Sequence, residues 1–104
     1  MVDRRLSPTK MMPLLVEEDY LLFLRDFPLD VRLPPQYQAW SAGFASEDYT
    51  HRAAGLNTRH ILVRYGEITE FLRRIGLKPS YAALETFASY VGRRELEQET
   101  SRRH

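Results

Sequence analysis

The stretch TRHILVRYGEITEFLRRIGLKPSYAALETFASYV, Thr58 to Val91, decides how the rest of the chain is read. Ile61, Leu62, Tyr65, Ile68, Leu72 and Ile75 recur at steps of three and four. On a helix that spacing gathers them on one face. Gly76 then stops the helix, because a glycine just past the last turn takes the left-handed conformation at no steric cost. Pro79 and Ser80 open a second helix, one with φ already set, the other with a side-chain oxygen for capping. The second pattern buries Leu84, Phe87, Ala88 and Val91. The spacing therefore predicts a helical hairpin over 58–91, packed through Ile68, Leu72, Ile75, Leu84 and Phe87.

Working outward, Pro13 suits the first turn of a helix running to Asp26, with Glu17, Glu18 and Asp19 at its positive end. Leu14, Leu15, Tyr20, Leu21, Leu22, Phe23 and Leu24 make that helix apolar over a wide arc. So broad a surface suggests that the helix packs between others or at a dimer interface, or takes a protein partner through Leu14–Leu24. Phe27 to Leu33 alternates apolar and polar residues at a strand period, but Pro28 restricts it to an edge or an extended connector. His60 to Tyr65 supplies a possible partner strand. Pro34 and Pro35 open a short helix through Trp40 and Phe44. Ser46 caps another, which ends at Gly55.

The reading is an all-α fold, a bundle of about five helices. The alternative is α+β with a short two-stranded piece. Core candidates are Leu21, Leu24, Trp40, Phe44, Leu62, Tyr65, Ile68, Leu72, Ile75, Leu84, Phe87 and Val91. Residues 1–12 read as a flexible arm, 13–92 as a single helical domain and 93–104 as a charged tail.

Composition narrows the function classes. At 104 residues the chain suits one domain. It has no apolar run long enough to span a bilayer, and acids follow Met11–Val16 too soon for a signal peptide. Cysteine is absent. That removes disulfides, thiolate nucleophiles and cysteine-ligated metals, and it fits a cytoplasmic protein. The net charge of +1 conceals an asymmetry: residues 1–10 carry +2, residues 11–50 carry −5 and residues 51–104 carry +4. The basic part coincides with the hairpin and its tail, which suggests an anionic partner.

Residues 68–84 resemble the helix-turn-helix unit of bacterial DNA-binding regulators. Ile75, Gly76, Leu77 and the capping run Lys78-Pro79-Ser80 carry the resemblance. It implies a small regulatory protein that contacts double-stranded DNA, as a homodimer, through Arg73, Arg74, Lys78, Ser80, Tyr81, Arg93 and Arg94. The chain departs from the family at Leu72, where a small residue is wanted. It departs again over Tyr81–Thr86, which lacks the Arg, Lys, Asn or Gln donors that read base edges.

The other constellations are thinner. Paired arginines stand at Arg4-Arg5, Arg73-Arg74, Arg93-Arg94 and Arg102-Arg103 and could grip phosphates. Glu47 and His51 share a helix face, with His60 elsewhere, but a hydrolytic zinc site needs three ligands in a known spacing. Leu33-Pro34-Pro35-Gln36-Tyr37 looks like the peptide bound by WW domains. No catalytic residue, metal or cofactor is expected, so the second functional reading is a helical adaptor or inhibitor that binds protein and no nucleic acid. The DNA reading predicts salt-sensitive duplex binding in a fluorescence anisotropy titration. Exchanging Arg73 and Arg74 together for Glu should weaken it across all sequences, and no binding at low salt removes the reading.

Overall fold

The computed structural model describes residues 8–28 and 30–102, excluding the side chain of Arg102. The element order is β1 (Thr9–Leu14), α1 (Glu17–Asp26), α2 (Tyr37–Ala53), β2 (Asn57–Leu62), α3 (Tyr65–Ile75) and α4 (Tyr81–Arg102). The strands pair in parallel, from Thr9 opposite Asn57 to Leu14 opposite Leu62. The fold is therefore α+β, with four helices and one two-stranded sheet among the described residues. This overturns the all-α bundle.

Two segments account for the correction. The spacing of Ile61, Leu62 and Tyr65 fits a helix, which predicts a long helix capped at Asn57 or Thr58 where the structure has a strand. In the structure Ile61 and Val63 are buried while Leu62 between them is half exposed, which is the strand period. The β-branched Thr58, Ile61 and Val63 suit that backbone. The second segment is Thr9–Leu14, which shows no alternation because a strand covered on both faces needs none. Met11, Met12 and Pro13 are all buried. Pro13 lies in this strand instead of opening α1, and its position there is harmless. The Asn57 N–H donates to the Pro8 carbonyl at 3.1 Å and the Val63 N–H to that of Leu14 at 2.9 Å. Even-numbered residues of β1 thus face β2, and Pro13 turns its missing N–H outward.

Helices cover both faces of the sheet. Met11 and Ile61 pack on Ala88 of α4, with Val91 and Leu96 beside them. On the other face the His60 ring meets Phe44 of α2 edge-on at 4.8 Å, and Arg52 donates to the Thr58 hydroxyl at 3.0 Å. The main core joins Leu15, Tyr20, Phe23, Trp40, Val63, Ile68, Leu72, Leu84 and Phe87. Of the core candidates, Leu21, Leu62 and Ile75 instead stand exposed.

The domain boundaries move as well. The arm expected over 1–12 is strand from Thr9 onward, while residues 1–7, Arg4 and Arg5 included, lie outside the described residues. The tail expected over 93–104 continues α4 to Arg102, with residues 103–104 outside the described residues. Arg59 of β2 holds that extension, pairing with Glu95 at 3.0 Å and Glu99 at 2.6 Å. The two short helices expected either side of Ser46 are one helix, α2. Phe27–Leu33 is an irregular connector with no strand among its described residues.

Two helix glycines should respond oppositely to the same change. A Cβ at Gly43 meets nothing within 4 Å, whereas one at Gly92 would lie 2.3 Å from the buried Met11 sulfur. Gly43→Ala should raise the urea-unfolding free energy by about 0.5–1 kcal/mol through helix propensity. Gly92→Ala should lower the same quantity, because the buried Met11 side chain must then leave its place or α4 must move away from β1.

Candidate functional site

α3 and α4 meet at the Gly76 turn, where φ is +74°. The Leu77 N–H donates back to the Leu72 carbonyl at 3.0 Å and closes α3. Ser80 caps α4, its hydroxyl oxygen accepting the Ala83 N–H at 3.1 Å. The turn chemistry is thus local and follows the reading of Gly76 and Ser80.

The opening of α4 faces the core. Tyr81, Ala83, Leu84, Phe87 and Ala88 are buried, Ala82 and Thr86 look outward, and Glu85 pairs at the surface with Lys10 and Arg32. The Tyr81 ring lies under the Arg32 guanidinium at 4.2 Å. Burial pushes its phenol up to about 12. Two of the seven expected contact residues, Ser80 and Tyr81, are therefore occupied inside the fold. The other five are exposed. Arg74 pairs with Glu70 at 3.1 Å, and Arg94 lies over the Tyr90 ring at 5.7 Å. Arg73, Lys78 and Arg93 have no carboxylate partner among the described residues.

The structure also assembles a groove between α3 and α4. Its floor is Phe71, Phe87 and Val91, with Phe71 and Phe87 edge-to-face at 5.0 Å. Its apolar rim is Ile75, 46% exposed, and Tyr90, 49% exposed, and Leu77 just past the turn is 48% exposed. Glu67, Glu70, Arg74 and Arg94 border it, and its volume is about 450 Å³. Sequence reasoning passed over Phe71 and Tyr90. For these two the signal was present, since Phe71 and Tyr90 fall outside the stripe that Ile68, Leu72, Leu84 and Phe87 bury; Ile75 lies within that stripe by spacing and is exposed only because it stands at the end of α3.

Other expected sites resolve into structure. The wide apolar arc of Leu14–Leu24 is mostly core, since Leu15, Tyr20 and Phe23 are buried and Leu14, Leu22 and Leu24 half-buried. Leu21 alone in that arc stands free, at 76% exposure. Tyr37 of the proline-rich peptide opens α2 and donates its hydroxyl to the Leu15 carbonyl at 3.1 Å. Its neighbour Pro34 accepts the Tyr20 hydroxyl at 2.5 Å. Neither is presented as an extended ligand. His51 pairs with Glu47 at 3.4 Å and His60 with Asp48 at 2.9 Å. No three such groups converge among the described residues.

α3 is positioned from a distance. Asp19, in the first turn of α1, accepts the Tyr65 N–H at 2.9 Å and pairs with Arg64 at 2.9 Å. α3 has no side-chain cap of its own, so Asp19 supplies one across the fold. The Arg64 contact and the Tyr65 N–H together hold its carboxyl below the usual range. Comparison with known proteins found no matching family model, no similar curated sequence and no similar solved structure.

Because the folded-state pKa of Asp19 is lowered, its contribution is present above the unfolded value and is lost as pH falls through the folded one. Asp19→Asn should cost about 1–3 kcal/mol at pH 7. In urea titrations at successive pH values, the gap to the native protein should begin closing near the ordinary carboxylate pKa of about 3.9. A gap that is constant from neutrality to strong acid contradicts the assignment.

Proposed function

We propose that the protein is a small non-enzymatic binding module that docks a partner protein on its α3–α4 face. The groove carries this reading. Ile75, Leu77 and Tyr90 remain about half exposed, the first at the end of α3 and the second just past it, while Ile68 and Leu72 of the same helix are buried. Large apolar side chains clustered this way, on rigid elements and bordered by charge, are what a protein interface uses. The groove is made by two helices and suits an amphipathic helix laid along it. The chain's lack of cysteine supports a cytoplasmic location. No described helix is long and apolar enough to cross a membrane.

A second reading, contact with the DNA backbone, is favoured by Arg73, Lys78 and Arg93, which are exposed and have no carboxylate partner among the described residues. Weighing against base reading is the start of α4, where Tyr81, Ala83 and Leu84 point into the core and no Arg, Lys, Asn or Gln stands at the positions that would enter a groove.

A photo-crosslinking amino acid at Leu77 tests docking against one at Gln38, which is exposed on α2. The docking reading expects a discrete protein adduct from position 77 in cells, reduced at least about tenfold by Ile75→Glu together with Tyr90→Glu. Equal crosslinking from both positions ends it.

A further inference from the structure

We infer that the occupant of the α3–α4 groove is a second copy of this chain, laid antiparallel across it about a two-fold axis near Phe71. The inference rests on the docking reading and names its partner.

The outward row of α3 reads Glu67, Glu70, Phe71, Arg74, Ile75, at steps of i, i+3, i+4, i+7 and i+8. These residues occupy a flank of the helix beside the buried Ile68 and Leu72, with Ile75 at the edge where the flank meets that buried stripe. The row is ordered, with carboxylates toward the start, an aromatic in the middle, and a guanidinium with an apolar side chain at the end. A two-fold interface requires that surface to complement itself, residue i meeting j while j meets i. An antiparallel copy centred on Phe71 does this. Each Glu67 comes opposite Arg74 of the other copy, the two Phe71 rings meet on the axis, and each Ile75 covers the methylenes of the opposing Glu67.

The charge of the groove narrows the occupant further. Its bordering residues are two acids, Glu67 and Glu70, and two bases, Arg74 and Arg94. A nucleic-acid backbone would meet both carboxylates, and a strongly acidic or basic peptide would be matched at one end and repelled at the other. A second copy carries the same four charges in reverse order. Within one chain Glu67 and Arg74 are two turns apart, about 10.5 Å along the axis, so they do not pair. Arg74 instead pairs with Glu70 at 3.1 Å, an exposed i,i+4 contact that leaves its other donors available.

Sedimentation equilibrium of the purified chain tests the inference between about 1 μM and about 1 mM, the range where a small interface dissociates. A monomer–dimer equilibrium that weakens with added salt is expected. Glu67→Arg and Arg74→Glu should each weaken the dimer about tenfold or more, because each sets like charges opposite one another twice. Combining the two should restore it toward the native constant, a rescue that only contact between copies can produce. Circular dichroism spectra of all three variants should keep the native helix content, since both positions are exposed. A monomer at every concentration overturns the inference, as does a double variant no better than the singles. If such a monomer still crosslinks a different protein from Leu77, the docking reading stands and the second copy is excluded. If it crosslinks nothing, both fall.

Discussion

The parallel pairing of β1 with β2 is the constraint on which the rest of this structure depends. Parallel neighbours cannot be joined by a tight turn, so the chain must leave one end of the sheet and return to the other. Here residues 15–56 make that journey, and they carry α1 and α2. Two strands have no interior of their own, and their side chains are buried only if helices cover both faces. α2 covers one and α4 the other. Gly92 marks how closely α4 approaches, since a single added carbon there would overlap the Met11 side chain.

Once the sheet is covered, the placement of α3 and α4 is largely determined. α3 leaves directly from β2 through Val63 and Arg64, and Asp19 takes hold of its first N–H. Phe23 reaches across to the Tyr65 ring at 5.7 Å, so α1 and α3 close the end of the sheet together. α4 then has two partners on one side, β1 along its middle and α3 near its start. Its contact with Arg59 through Glu95 and Glu99 carries the helix well past Gly92. The seam between α3 and α4 has no further layer above it among the described residues. There Ile75 and Tyr90 stay about half exposed and Phe71 partly so, because Ile68, Leu72 and Leu84 fill the core beneath them.

Much of this was legible in local chemistry. Gly76 ends one helix and Ser80 caps the next by interactions spanning a few residues, and the acids at 17–19 mark the start of α1. Trp40, Ile68, Leu72, Leu84 and Phe87 are core as their spacing requires. The misreadings have a common origin. Ile61 and Leu62 fit a helical stripe as readily as a strand, and over so few residues periodicity cannot decide between them. Thr9–Leu14 has no alternation at all. What made both segments strands is each other, across more than forty positions of sequence.

The candidate site divides in the same way. The sequence by itself determined the turn after Ile75, the capped start of α4 and the exposed arginines around them, because each depends on neighbours within a turn of helix. Only the tertiary structure decided that Tyr81, Ala83 and Leu84 face inward while Phe71, Ile75 and Tyr90 face out. A helix has two sides, and which side is buried depends on what the rest of the chain brings against it. For α4 that is a strand formed by residues at the other end of the sequence, through long-range pairing that no local pattern encodes.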